Sequence, residues 1–319
     1  MTHHSTQQPP PLSKTDRRTS RFAARAVRWL YRSVEVYVDD RVPRTGPVVA
    51  VSNHFGGFAD PLLLMSVMER VPRIVARDKI WDVPIAGRAM KAIGGIPVHK
   101  PAEHHGPTSN EEMFGAAYEA LEQGEVVLIY PEGITVDDPS IAKIKTGAAR
   151  IALGARSSGV ENIQIVPAGI HYEDKAALRS RVFINIGAPF DLDAEIVDRV
   201  PTDVATTPEN RELVRALTDD IEDRLRRVAP DFENWDEARH LTNAAEITVR
   251  AGQDDKEEQV PSSDRDRLAG EIADLARQAR AVPASAYTDD MSDRLVVARN
   301  YLRALIQERD DVPQKSHRR

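Results

Sequence analysis

Between Val34 and Phe190, short β-branched or aromatic runs alternate with segments of helical character, and no other feature constrains the fold as strongly. Val34, Val36 and Val38 alternate with Glu35 and Tyr37, while Val48–Val51 is an unbroken apolar run, as expected of a strand covered on both faces. Ile74–Ala76, Ile96–Val98, Val126–Tyr130, Ile163–Pro167 and Val182–Ile186 read as further strands. Pro61–Met68, Pro84–Ala92 and Ala142–Ala155 read as helices between them. Ser109 and Glu112 have the spacing of a capping box and open one more helix, ending near Gly124. Strands and helices in this alternation predict an α/β fold: a mixed, largely parallel sheet flanked by helices, spanning about 34–200.

The chain outside that stretch has a different character. Residues 1–19 read as a disordered tail and 20–33 as a basic amphipathic helix. There Arg21, Arg25, Arg28 and Arg32 share one face, and Phe22, Ala26, Trp29 and Leu30 supply an apolar side. That pattern suits a helix lying on an anionic membrane, and equally a surface helix docked on its own domain. Residues 201–309 read as a helical extension with a polar linker near 252–263, followed by a charged tail over 310–319. Its apolar stripes are Leu213, Leu217, Ile221, Leu225 and Val228; Leu268, Ile272, Leu275 and Ala279; and Leu295, Leu302 and Ile306.

Composition removes several classes of function. A formal net charge of −7 over 319 residues gives no footprint for nucleic acid. The absence of cysteine excludes disulfides, thiolate metal sites and cysteine nucleophiles. No apolar run approaches the ~20 residues that span a bilayer, and the N-terminal segment lacks the apolar core of a signal peptide. Membrane contact is therefore expected to be peripheral.

Phosphate-loop, GxGxxG, GxSxG and HExxH patterns are all missing. The richest window is Ser52-Asn53-His54-Phe55-Gly56-Gly57-Phe58-Ala59-Asp60-Pro61, between a buried strand and a helix, where open α/β sheets place ligands. A His and an Asp at the ends of a Gly-containing loop can turn toward each other. The carboxylate then accepts from one imidazole nitrogen and leaves the other as a base. In the alternative, Asp60 caps a helix that has Pro61 at its first position, with no chemistry involved. Glu132 and Gly133 follow a strand in Tyr130-Pro131-Glu132-Gly133-Ile134-Thr135, and Lys100 ends the strand window Gly94–Lys100. Lys143, Lys145, Thr146, Gly147 and Arg150 gather cations at a helix start, a setting that suits phosphate.

Taken in order, these windows resemble the glycerolipid acyltransferase family over about Val48–Phe190. The family's first block has four residues between His and Asp; here five, Phe55 to Ala59, separate His54 from Asp60. That longer loop is similar to the branch acylating glycerol 3-phosphate or dihydroxyacetone phosphate, as are Lys145–Arg150 and Leu178–Val182. Lys100 stands where the second block usually has Arg, Thr135 lies one residue later than the usual Thr or Ser after Glu132-Gly133, and Val166-Pro167 matches the fourth block.

The resemblance implies an O-acyltransferase that works without an acyl-enzyme. Asp60 would orient His54, and His54 would deprotonate the acceptor hydroxyl. Backbone groups at Gly56 and Gly57 would serve the oxyanion; Glu132, Gly133 and Thr135 would shape the acceptor site; Lys100 and Lys145 would meet its phosphate. It implies acyl-CoA or acyl-carrier protein as donor substrate, a glycerol-phosphate-type acceptor, no metal or organic cofactor, no nucleic-acid partner, and a cytoplasmic protein peripheral on the inner face of the membrane. A lysophosphatidate or glycolipid acceptor, a thioesterase using the same pair on water, and a non-catalytic membrane scaffold remain as alternatives.

Overall fold

A computed structural model describes residues 14–99, 110–135, 137–197, 209–253 and 259–281. The chain divides into two compact bodies, Met1–Pro230 and Asp231–Arg319.

The first body is built on one sheet in the order β1-β7-β6-β2-β5-β3-β4. Its strands are β1 (Ser33–Val38), β2 (Val48–Ser52), β3 (Arg73–Arg77), β4 (Ile96–Val98), β5 (Val126–Ile129), β6 (Gln164–Tyr172) and β7 (Arg181–Ile186), with the short β8 (Phe190–Asp191) beside β6. Five neighbours, β6, β2, β5, β3 and β4, run parallel, so their C-terminal ends open on one edge. β7 runs antiparallel to β6, and β1 joins β7 in parallel. The architecture is the α/β sheet expected from the alternation. β2 and β5 are buried at every residue, which is why they read as unbroken apolar runs.

Two apolar layers cover the sheet. On one face α4 (Glu111–Glu122), α5 (Gly147–Ser157) and α7 (Arg211–Val228) pack around Leu121, Ile151, Leu153 and Ile221. On the other, α1 (Lys14–Leu30), α2 (Ala59–Val67) and α3 (Pro84–Ala92) supply Val27, Leu63, Leu64 and Met90. α7 buries Leu213, Leu217, Ile221 and Leu225, the stripe read from the sequence, and Asn210 caps it by accepting from the Leu213 N–H at 3.1 Å. A short α6 (Leu192–Val197) follows β8.

Several expectations need correcting. The body ends at Pro230 and not near residue 200, because α7 lies against β6 and α5. α1 begins at Lys14, inside the stretch read as a tail, and stops before Arg32. It turns Ala23 and Val27 inward, leaving Phe22 66% and Trp29 69% exposed beside exposed Arg18, Arg21, Arg25 and Arg28. α5 begins only at Gly147, since the N–H groups of Ala142 and Lys145 bond to the Glu132 carboxylate and the Pro131 carbonyl.

The second body pairs α8 (Trp235–Ala251) with α9 (Ser262–Ala281) around Phe232, Leu241, Ala245, Ala269 and Ala273. Leu268 and Ile272 of the predicted stripe pack against this cluster, whereas Leu275 is exposed. The stripe at Leu295, Leu302 and Ile306 lies outside the described residues, as does the capping residue Ser109.

Candidate active site

The loop after β2 leaves the sheet at its open edge, between the ends of β6 and β5. Asn53 continues the strand pairing with its side chain: Nδ2 donates to the Ile170 carbonyl at 3.1 Å, and Oδ1 accepts from the Ile170 N–H at 2.8 Å. Asn53 is fully buried, so both bonds form away from competing water. This anchors the residue before His54.

His54 Nδ1 lies 2.8 Å from Asp60 Oδ2. Asp60 is wholly buried in the first turn of α2, whereas the imidazole keeps 21% of its surface exposed. The cap residue of α2 is Phe58, and Asp60 turns back to accept from the Gly56 N–H at 3.0 and 3.1 Å. Capping therefore does not account for Asp60. Its second oxygen also accepts from the Tyr172 hydroxyl at the end of β6. Tyr130, the residue after β5, stacks on the imidazole with ring centroids 4.3 Å apart. With Nδ1 committed to the carboxylate, Nε2 is the nitrogen available to a proton on a substrate.

Glu132 is 1% exposed. One carboxylate oxygen accepts from the His54 N–H at 2.9 Å and the other from the Ala142 N–H at 3.1 Å. Burial raises its pKa, opposed by those two hydrogen bonds. Glu132 thus clamps the backbone of His54 to the loop after β5. Gly133 adopts φ +67°, with the Lys145 ammonium folded over the face where a side chain would stand. Thr135 and Lys145 are exposed at this rim, while Lys100 lies outside the described residues. The Gly56 N–H donates to both Asp60 oxygens, and Gly57, at φ +60°, forms the turn beside it.

Sequence reasoning missed Tyr172, the stacking of Tyr130 on the imidazole and the tie made by Asn53. It also missed a second His–Asp pair at the same sheet edge, His99 Nδ1 to Asp78 Oδ2 at 2.7 Å, which links the end of β4 to the turn after β3. Among the described residues no cluster of three or more His, Asp or Glu could hold a metal ion.

Residues 33–171, which carry this loop, the Glu132 turn and nearly all of β6, match the family model described as Acyltransferase. Over these residues the chain carries an acyltransferase domain similar to those of glycerolipid acyltransferases. The chain is 36% identical over 87 residues to a Saccharomyces cerevisiae protein named glycerol-3-phosphate O-acyltransferase 2, covering 27% of this chain but 12% of that one. The chain thus spans about an eighth of that yeast relative. A Rhizobium meliloti protein named lyso-ornithine lipid O-acyltransferase is 27% identical over 271 residues, covering 83% of this chain and 81% of its own. The solved structure of a Thermotoga maritima 1-acyl-sn-glycerophosphate acyltransferase superposes with a TM-score of 0.48 at 20% identity, over 67% of this chain and 78% of that one.

Proposed function

We propose that this protein is an O-acyltransferase that moves a fatty acyl group from a thioester donor to a hydroxyl of glycerol 3-phosphate or a closely related glycerolipid acceptor. One observation carries the reading: a partly exposed imidazole held at 2.8 Å by a fully buried carboxylate, at the open edge of a parallel sheet. Neutral His54 takes the proton of the acceptor hydroxyl through Nε2 as the oxygen attacks the thioester carbonyl. Asp60 holds the ring and stabilises the imidazolium that forms. As the tetrahedral intermediate collapses, the C–S bond breaks and the imidazolium returns its proton to the departing thiolate. The proton balance closes on one imidazole, so the reading calls for no further cofactor. Base catalysis of this kind is typically worth ~10²–10⁴-fold in rate.

Lys145, over Gly133 at the rim, supplies positive charge for an acceptor phosphate. The donor is acyl-CoA or acyl-carrier protein, met on the cytoplasmic side of the membrane. No described helix is long and apolar enough to cross a membrane. Contact with lipid falls to α1, whose outer stripe of Arg18, Phe22, Arg25 and Trp29 interleaves cations with aromatic rings. A lyso-lipid acceptor is the second reading. It is favoured by the rhizobial relative, whose similarity extends over most of this chain and well past the family segment.

The test is an acyl-transfer assay on the full chain, with acyl-CoA and acyl-carrier protein offered in turn against glycerol 3-phosphate, dihydroxyacetone phosphate, lysophosphatidate and a lyso-ornithine lipid. Transfer that disappears in a folded His54→Ala variant supports the base, and the preferred acceptor chooses between the readings. A His54→Ala enzyme with near-normal turnover sinks the base assignment. Thioester hydrolysis that ignores every acceptor would make the protein a thioesterase.

A further inference from the structure

We propose that Tyr172 is a positioning residue of this site, holding Asp60 against His54, and that Tyr31 beyond α1 holds Tyr172 in turn. The proposal rests on the reading of His54 as the base.

Asp60 is a fully buried carboxylate, and what it bonds decides where its charge is felt. Oδ2 takes His54 Nδ1 at 2.8 Å and the Gly56 N–H at 3.0 Å. Oδ1 has the same Gly56 N–H at a longer 3.1 Å and the Tyr172 hydroxyl. Without Tyr172 that oxygen would keep only half of a shared donor. The sheet puts the tyrosine there: Ser52, the last residue of β2, pairs with Ala168, and β6 runs four residues further, across the foot of the His54 loop.

Tyr172 is suited to be a permanent donor. Burial, and then the neighbouring Asp60 charge, push its hydroxyl far above the ordinary phenol range, so it stays protonated wherever the enzyme could work. Tyr31 is buried, with its ring tilted 49° to that of Tyr172 and the centroids 6.1 Å apart, and each phenol bears on the other's protonation. Tyr31 is itself fixed by the backbone. Its N–H bonds to the Val27 carbonyl, and the next residue, Arg32, bonds to Ser180 at 3.0 Å. A line of side chains therefore runs from the end of α1 through Tyr31, Tyr172 and Asp60 to the imidazole.

The titratable groups facing the pair are Tyr31 beyond α1, Tyr130 and Glu132 on β5 and the turn after it, and Tyr172 on β6. The three tyrosines are held neutral by burial. Glu132 gives both oxygens to backbone N–H groups and bonds neither Tyr31 nor Tyr172. Removing the Tyr172 hydroxyl would leave more of the Asp60 charge on the side facing His54, which favours the imidazolium. A base works only when neutral, so the acid limb of the rate profile would move to higher pH.

The experiment is the pH dependence of kcat and KM for Tyr172→Phe, Tyr31→Phe and the double variant, in the acyl-transfer assay with His54→Ala alongside. The expected result is a Tyr172→Phe enzyme with kcat down about tenfold, the change for one hydrogen bond to a charged group. Its KM should be unchanged and its acid limb displaced upward. Tyr31→Phe should show a smaller displacement, and none beyond Tyr172→Phe in the double variant. Fluorotyrosine at 172 is a stronger donor of nearly the same shape and should move the limb downward, which keeps the test open if the phenylalanine variant does not fold. A folded Tyr172→Phe enzyme with the parent's kcat and profile, or a fluorotyrosine enzyme with an unmoved limb, overturns the proposal while a silent His54→Ala leaves the base in place. An active His54→Ala overturns both.

Discussion

Replacing Gly56 by alanine would put a methyl carbon 2.2 Å from the Tyr172 hydroxyl oxygen and 2.7 Å from Asp60 Oδ1. Both are well inside contact distance. The ring carbon bearing the hydroxyl, 2.6 Å away, closes the route by which the oxygen alone could yield. Either the ring withdraws along β6 or the loop backbone moves, and a moving loop takes the Gly56 N–H from Asp60. Overpacking of this kind costs ~1–3 kcal/mol, so the variant should still fold. Activity should suffer far more: misplacing a reacting group by 1 Å costs on the order of 10²-fold, and the collision occurs at the group that orients the base. Gly57→Ala is the matched control. A Cβ there meets nothing within 4 Å, and the cost is the left-handed backbone at φ +60°, roughly 1–2 kcal/mol of stability. Thermal unfolding and single-turnover acyl transfer on both proteins separate the two effects. Gly56→Ala should lose about 10²-fold in the chemical step with a modest fall in Tm, and Gly57→Ala should lose Tm but keep its rate per folded molecule. Equal rates in the two variants, or a slower Gly57→Ala, would refute the reasoning.

The Tyr130 hydroxyl is buried and finds no partner among the described residues, so Tyr130→Phe should raise stability by ~1–3 kcal/mol while keeping the ring on His54; a lower Tm would mean that the hydroxyl is satisfied. Glu132→Ala should leave the N–H groups of His54 and Ala142 without acceptors, at ~1–3 kcal/mol each, and abolish transfer. Denaturant unfolding reads the first effect, and unchanged stability would remove the clamp. Replacing Phe22 and Trp29 together by serine should weaken co-sedimentation with anionic vesicles and leave Tm nearly unaltered, since both side chains are exposed; binding by the parent should fall as salt rises. Vesicle binding equal to the parent's would return α1 to a purely structural role.

The pattern of β2 was legible because a strand buried on both faces leaves a contiguous apolar trace, and α7 because one of its faces meets the core at helical spacing. His54 and Asp60 were legible because the contact closes within one loop. Tyr172 is 112 residues from Asp60 and carries no local signal; only the adjacency of β6 and β2 brings it there. Glu132 was found, but not its burial or its two backbone bonds, because exposure is not written in a Pro-Glu-Gly turn. The start of α5 was misread for a related reason: residues 142–146 have helical composition, but tertiary partners take two of their amides before a helix can. On α1 the aromatic residues read as the apolar side, facing either a membrane or the domain. Burial instead chose the small Ala23 and Val27, which let the helix approach α2 closely.

The family match stops at residue 171, yet the material that β6 needs does not. A side chain at Gly169 would strike the backbone of Val228 and Ala229 at 1.9–2.7 Å, and His171 Nε2 bonds to the Val228 carbonyl at 2.7 Å. The strand that carries Tyr172 is thus moulded against the last turn of α7, nearly 60 residues along the chain. A gene fragment trimmed to the recognised segment would keep His54, Asp60 and Glu132 and lose the surface that shapes the strand behind them. In shuffling or grafting this protein, the unit of exchange is the span through Pro230: what is recognisable by descent is shorter than what is cohesive as an object.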